Sequence, residues 1–380
     1  MVYYLTRILA RIAIRVYFRK IYVEGVTLIP SDGPVFIAAN HPNGFLEAIL
    51  IACLVPRKLH FLVRGDVFNI KWLKPLLLAT NQIPIFRSKD GFSNLRNNSK
   101  SISAVTRALI QKKAILIFPE GTTQWAIRLR PLQKGMARMA FLAMEESAVL
   151  KPKIVPAGVT FTRPNQFRSE VMISFGSPIE VTDFKDLYSM DQRDAIEKLT
   201  AKVYEQMKPQ LVHVEEKDAK KFLKTSEIFR PAYPSRFFPF IERSNERLKY
   251  EQRMAELVHH DEKVLGEIRK MEKAQRWGVL DILLIVPAFI GFLSWSIPFY
   301  LSYWITQKIA RGSIFFASIL LTGGALLTLL YSLLVLIISI WLGGIFIVLF
   351  PMMLIGGISF LYLHHRLLLQ KHYRTGNRVE

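Results

Sequence analysis

A histidine, a nearby carboxylate and a glycine turn are the residues of this chain best suited to chemistry. His41 and Glu47 lie in the run Asn40-His41-Pro42-Asn43-Gly44-Phe45-Leu46-Glu47-Ala48. An imidazole at a strand end can act as a general base near neutral pH. A carboxylate on one ring nitrogen fixes the tautomer and leaves the other nitrogen to take a hydroxyl proton. Further along comes Phe118-Pro119-Glu120-Gly121-Thr122-Thr123. Glycine there lets backbone N–H groups approach an anion, and the Thr122 and Thr123 hydroxyls can donate to it. Other chemistries are less well served. No Gly-x-Ser-x-Gly elbow is present, so a serine acyl-enzyme is not indicated. The adjacent pairs His259-His260 and His364-His365 lack metal-motif spacing, and no metal is expected. There is no Walker loop or dinucleotide fingerprint, so no bound cofactor is expected either. Cys53, the one cysteine, sits in an apolar helical run and reads as a small buried residue rather than a nucleophile.

Residues 21–185 supply the elements that would hold these groups. Short β-rich runs cover Ile21–Val23, Val35–Ala38, Leu59–Val63, Gln82–Ile85, Ala114–Phe118, Ile154–Phe161 and Val171–Phe175. Helical stretches between them cover Phe45–Leu54, Leu73–Leu78, Ser93–Gln111 and Met136–Glu145. Such alternation predicts an α/β domain, a mostly parallel sheet flanked by helices. His41 then follows the second strand, and the Pro-Glu-Gly turn ends the fifth. Residues 186–276 read as a charged helical region. It is broken by Pro231 and Pro234 within a run of aromatics that includes Phe229, Tyr233, Phe237, Phe238 and Phe240. Packing and a lipid- or acyl-facing surface are both open for that run.

The rest of the chain points to a membrane. Residues 1–20 carry Arg7, Arg11, Arg15 and Arg19 in one stripe, with Leu5, Ile8, Leu9, Ile12 and Val16 elsewhere around the helix. An amphipathic helix on a bilayer surface is expected rather than a signal peptide, because the arginines interrupt any apolar core. From Val279 to Leu363 the only charged residues are Asp281, Lys308 and Arg311. The membrane region, residues 277–364, therefore holds two transmembrane helices within Ser313–Leu363, preceded by a re-entrant hairpin or third span over Val279–Ile305. The basic clusters at Lys308–Arg311 and in the tail, residues 365–380, prefer the cytoplasmic side. A hairpin puts both there, with the catalytic domain, and is the expected form. The net charge of +21 suits anionic lipid headgroups and anionic substrates. Nucleic acid is not an expected partner, since no zinc-finger, homeodomain or RRM signature appears.

The two chemical motifs together resemble those of the PlsC-like glycerolipid acyltransferase superfamily. The resemblance covers roughly residues 20–180. Gln82-Ile83-Pro84-Ile85-Phe86-Arg87 is similar to the family's second motif, which implies that Arg87 binds the substrate phosphate. Ile154-Val155-Pro156-Ala157-Gly158 resembles the fourth, implying that Pro156 shapes the acyl site. Leu132-Gln133-Lys134-Gly135 resembles a lysine-glycine turn, and Arg64 stands where many members carry a basic residue. By this resemblance His41 and Glu47 are catalytic, and Arg87, Glu120, Gly121, Thr122, Arg64, Lys134 and Pro156 bind substrate. Two departures matter. Five residues rather than four separate His41 from its acid, which is glutamate rather than aspartate. Thr123 replaces a usual arginine, with Arg128 or Arg130 as its substitute. The longer spacing resembles a branch that includes fungal glycerol-3-phosphate/dihydroxyacetone-phosphate acyltransferases and similar bacterial lysophosphatidate acyltransferases, a branch that tends to carry C-terminal spans.

The implied reaction is direct acyl transfer from acyl-CoA or acyl carrier protein, as co-substrate, to a hydroxyl of a glycerol-phosphate acceptor among membrane lipids. Lysophosphatidate is the favoured acceptor, with glycerol 3-phosphate or dihydroxyacetone phosphate as the alternative. A non-catalytic lipid-binding scaffold on the same fold is the reading of another class.

Overall fold

The structure is a computed structural model that describes residues 2–86, 95–147, 150–229, 236–257, 277–343 and 348–376. The strands are β1 (Lys20–Glu24), β2 (Val35–Ala39), β3 (Leu59–Arg64), β4 (Gln82–Ile85), β5 (Ala114–Ile117), β6 (Lys153–Phe161), β7 (Glu170–Phe175), β8 (Ile179–Glu180) and β9 (Ile241–Glu242). They form one sheet in the order β4-β3-β5-β2-β6-β7-β1-β9, with β8 beside β6. Pairing is parallel except where β6 meets β7 and β8. The central strand β2 is buried along its whole length, as a parallel strand covered on both faces must be. The helices of the domain are α1 (Val2–Tyr17), α2 (Leu46–Leu54), α3 (Lys74–Ala79), α4 (Leu95–Ile110), α5 (Gly135–Glu146), α6 (Lys185–Met190), α7 (Gln192–Met207), α8 (Ala219–Phe229) and α9 (Glu246–Leu257). The seven strands and four helices expected from residue pattern are all present, within a residue or two at their ends.

Alternation along the strands sorts the core into two layers. Ile37, Ala39, Val155 and Ala157 pack with Leu46, Leu50 and Ile51 of α2 and with Ile14 of α1. Phe36, Ala38 and Ile154 face the other way, onto Met136 and Ala140 of α5 and Leu199 and Val203 of α7. Two described segments of the charged region, 192–207 and 241–242, join this domain. Helix α7 closes the second layer, and β9 extends the sheet by pairing Ile241 with Ile21. A charged helix with one apolar stripe reads as solvated until a sheet face covers that stripe.

Helix α1 is turned opposite to the simplest reading of its arginines. Arg7 donates to the Val55 carbonyl and Arg11 Nε to the Cys53 carbonyl at 3.0 Å, both at the end of α2. Cations at a helix C-terminus satisfy orphan carbonyls and oppose the negative end of the helix dipole. Arg15 bonds the Arg11 carbonyl at 2.6 Å. Leu5, Ile8, Ile12 and Val16 are left exposed on the outer face. Cys53, beneath these arginines, is buried. Burial pushes its thiol up to about 11 against the opposing field of Arg11, Arg7 and Arg15.

Four further helices follow: α10 (Val279–Leu283), α11 (Ile285–Ala310), α12 (Phe316–Leu342) and α13 (Leu349–Gly376). Among the described residues, α11 and α12 are long and apolar enough to cross a bilayer. The hairpin expected over Val279–Ile305 is not formed, because α11 runs without reversal through Pro298. It crosses α13 at backbone contact. A Cβ built on Gly291 would lie 2.0 Å from the Gly356 carbonyl carbon, so neither position admits a larger residue. Trp295 Nε1 donates to Met353 O at 3.0 Å, and Arg366 makes a forked bond to Asp281 at 3.2 and 2.9 Å. Phe299 of α11 packs on Phe167 of the domain, and Phe237 on Tyr362 of α13, so part of the aromatic run packs inward while Phe238 is exposed. The first turns of α12 enter the first core layer through Phe316, Ala317, Leu320 and Leu321. The Lys308–Arg311 end of α11 is thus beside the domain after all, carried there by a helix that folds back along it.

A buried ionic cluster ties the start of the sheet to α9. Glu170 bonds Arg19 at 2.5 Å and Arg247 Nε at 3.0 Å, and Arg247 Nη2 lies 2.8 Å from Glu251. Burial alone would raise the Glu170 carboxyl, but the two guanidinium groups hold it down at about 2 against an ordinary 4.5. The folded-state value is depressed, so this stabilisation is complete above about pH 4.5 and is lost as pH falls towards 2. Arg247→Met removes the cation shared by two buried carboxylates and is expected to cost about 3–5 kcal/mol, read by denaturant unfolding at neutral pH. The gap between variant and wild type should narrow as the pH is lowered through that window.

Candidate active site

His41 leaves the sheet at the C-terminal end of β2, and its position is fixed from both sides. Asn40 is buried and holds β6 with its amide: Nδ2 donates to Val159 O at 2.9 Å, and Oδ1 accepts from Val159 N at 2.7 Å. The His41 backbone N–H donates to Glu120 Oε2 at 2.9 Å, and its carbonyl accepts from Gln124 N at 3.2 Å. The imidazole stacks on Phe118, with centroids 4.0 Å apart and planes 8° from parallel. The His41 run is therefore seated on the Pro-Glu-Gly turn by backbone, carboxylate and ring.

The ring's acid partner is Glu47, in the first turn of α2. Glu47 is completely buried, and its Oε2 lies 3.5 Å from His41 Nδ1. Neither atom has another hydrogen-bond partner among the described residues. Glu47 Oε1 accepts from the Asn43 backbone N–H. One carboxylate oxygen is thus spent on the turn and the other faces the ring, an arrangement that keeps Nδ1 protonated and Nε2 free to accept a proton. Catalytic hydrogen bonds are commonly long before substrate binds and tighten in the complex. The extra residue between His41 and the acid is absorbed by the 43–45 turn, where Gly44 has φ +56°, and by the longer glutamate side chain.

Glu120 is buried, and both its oxygens accept bonds within the protein. Oε2 takes His41 N–H and Arg130 Nη2 at 2.6 Å, and Oε1 takes Arg130 N–H at 3.0 Å. Its carboxylate is a brace between the two loops. Arg130 in turn donates Nη1 to Thr122 Oγ1 at 2.7 Å and Nη2 to the Thr122 carbonyl. Of the two arginines that could replace the one absent at position 123, Arg130 is the one in the loop. Arg128 pairs outward with Glu216 at 2.7 Å. The Gly121 N–H closes the turn onto Phe118 O at 3.1 Å.

The remaining sequence-predicted residues spread more widely. Arg87 lies outside the described residues. Arg64 ends β3 at the same edge of the sheet, but it is exposed and forked to Asp66 at 3.1 and 2.7 Å. Lys134 bonds Glu197 of α7 at 2.9 Å at the surface. Pro156 sits inside β6 opposite Ala38, on the face away from α2, and its carbonyl accepts from Gly176 N at 2.8 Å. Each of these three has its bonds elsewhere in the fold. Asn40 and Ser318 were missed. Asn40 had a signal, a polar residue ending an otherwise apolar strand. Ser318 had none, because 275 residues separate it from its partner Asn43. Among the described residues, no three His, Cys, Asp or Glu side chains gather where they could hold a metal ion.

The brace can be tested by its charge balance. Arg130→Ala leaves the Glu120 carboxylate buried without its cation and is expected to cost about 3–5 kcal/mol in denaturant unfolding. Arg128→Ala removes an exposed pair and should change stability by less than about 1 kcal/mol in the same measurement.

Comparison with known proteins agrees with the geometry. Residues 20–160 match the family model described as Acyltransferase. Glycerol-3-phosphate O-acyltransferase 1 of Saccharomyces cerevisiae is 36% identical over 96 residues, 24% of this chain and 12% of that protein. Glycerol-3-phosphate O-acyltransferase 2 of the same yeast is 31% identical over 108 residues, 28% of this chain and 14% of that protein. The 1-acyl-sn-glycerol-3-phosphate acyltransferase of Bacillus subtilis is 25% identical over 173 residues, 44% of this chain and 78% of that protein. The chain thus spans only a small part of the yeast proteins and most of the bacterial one. With its histidine–carboxylate pair seated on the Pro-Glu-Gly turn of a mostly parallel sheet, the chain carries over residues 20–160 a segment similar to the Acyltransferase family.

Proposed function

We propose that this protein is a membrane-bound O-acyltransferase that moves a fatty acyl group from acyl-CoA or acyl carrier protein to the free hydroxyl of lysophosphatidate. His41 Nε2 takes the hydroxyl proton as the oxygen attacks the thioester carbonyl. The tetrahedral intermediate collapses by breaking the C–S bond, and the proton passes from His41 to the leaving thiolate. Glu47 holds the ring and stabilises its charged form. Arg87 supplies positive charge for the acceptor phosphate, while Arg130 braces the Glu120–Thr122 turn. No metal or bound cofactor takes part.

The observation that carries the reading is the His41–Glu47 pair, locked to the Glu120–Arg130 brace and opening beside exposed apolar rings. Phe45, in the turn between His41 and Glu47, and Phe315 lie 6.5 Å apart, and both are partly exposed. An acceptor that already carries an acyl chain fits that setting better than a fully water-soluble one. Glycerol 3-phosphate is kept as the second acceptor because the yeast relatives bear that name. The outer face of α1, with Leu5, Ile8 and Ile12 exposed, fits contact with acyl chains. Lys308 and Arg311 at the domain end of α11 favour a cytoplasmic catalytic domain.

The test is transfer of a labelled acyl group by the purified chain in liposomes, with lysophosphatidate and glycerol 3-phosphate assayed separately. His41→Ala is expected to lower the rate by about 10²–10⁴-fold. Transfer to glycerol 3-phosphate alone would overturn the acceptor assignment. A wild-type chain inert towards both would overturn the enzyme.

A further inference from the structure

The catalytic turn is held from outside the acyltransferase domain. Ser318 lies in the first turn of the long apolar helix α12 and is fully buried. Its hydroxyl donates to Asn43 O at 3.3 Å and accepts from Phe45 N at 3.1 Å. A serine hydroxyl, with one O–H to donate and two lone pairs to accept, can bridge two backbone groups in this way. Between those two groups sits Gly44, where an added Cβ would lie 2.8 Å from Ser318 Oγ and 3.2 Å from Ile314 O. The turn and the helix start are therefore in contact with no space between them. Phe316, Ala317, Leu320 and Leu321 anchor that same helix start in the core beneath α2. The turn matters because the Asn43 N–H is the donor that holds Glu47 Oε1. The chain of contact runs from Ser318 to the Asn43–Phe45 backbone, to Glu47, and to the His41 ring.

We infer that Ser318 is a positioning residue for the acyl-transfer site, through which the apolar helix α12 sets the geometry of the His41–Glu47 pair. The inference rests on the acyl-transfer reading above. It makes the domain's chemistry depend on the correct seating of a helix that lies beyond it in sequence. Ser318 bonds the Asn43–Phe45 backbone rather than the His41 ring or the Glu47 carboxylate, so its loss acts on turnover through orientation and not through binding.

The experiment uses the full chain in liposomes and follows acyl transfer to lysophosphatidate. Ser318→Ala is expected to lower kcat by about 10–100-fold with KM for donor and acceptor within about threefold. Ser332→Ala is the control, since the Ser332 hydroxyl bonds Thr328 O within the same helix, and it should match wild type. In a Glu47→Gln background the Ser318→Ala effect should shrink to less than about threefold, because the group it positions is already altered. If Ser318→Ala does not accumulate in membranes, Ser318→Cys, a weaker donor, takes its place and must show the same kcat loss. A serine variant at parity with an active wild type, a loss confined to KM, or full additivity with Glu47→Gln would each overturn the inference and leave the acyl-transfer reading standing. An inert wild-type chain would instead remove that reading and this inference together.

Discussion

A single buried carboxylate, that of Glu120, joins the two loops on which the site is built. It collects the His41 N–H, the Arg130 N–H and the Arg130 guanidinium. Each of those donors would be costly to leave unpaired in a site from which water is largely excluded, and the carboxylate would be equally costly without its cation. The ends of β2 and β5 are adjacent in the sheet, with Ala38 beside Ile117. A short acid just past β5 therefore reaches the backbone of a residue just past β2. Loop positions that strand pairing leaves free are fixed by this one group. The stacking of His41 on Phe118 and the reach of Glu47 follow from it.

The same economy of charge recurs elsewhere in the molecule. Arg7 and Arg11 cap the carbonyl end of α2 instead of facing outward, and Arg168 gathers the carbonyls of Arg15, Val16 and Phe18 where α1 ends. Glu170 sits between Arg19 and Arg247. In a strongly basic chain, cations used internally are unavailable to the surface. Net charge therefore overstates how much positive potential the protein presents. What α1 presents outward is apolar, and its membrane contact would come from side-chain insertion more than from headgroup attraction.

The helices after residue 277 are not an appendage. Helix α11 lies back against the domain at Phe167, α13 meets it at Phe237, and α12 begins inside the core before extending away from it. A domain whose catalytic turn is bonded to the root of such a helix has its site at the junction of apolar and polar surroundings. That is where an amphiphilic acceptor would present its hydroxyl.

Much of this was legible in the residues. Short apolar runs set between helical periods argued a mostly parallel sheet, and the breaks at Asn40 and Pro119 mark where the chain must turn. The His41 and Glu120 motifs announced themselves by type and spacing. What each residue does there was decided by tertiary contact. Glu120 became a brace because a buried acid is drawn to the nearest unpaired donors, and those came from a loop ten residues on and a strand end 79 residues back. Arg130 rather than Arg128 entered the loop because only one of them points inward. The arginine stripe of α1 turned towards the protein because α2 offered bare carbonyls, and Ser318 reached the catalytic turn because α12 packs beneath it. Periodicity and motif are local properties and can be read along a chain. The partner of a buried polar group is set by which surfaces meet, and only the folded structure determines that.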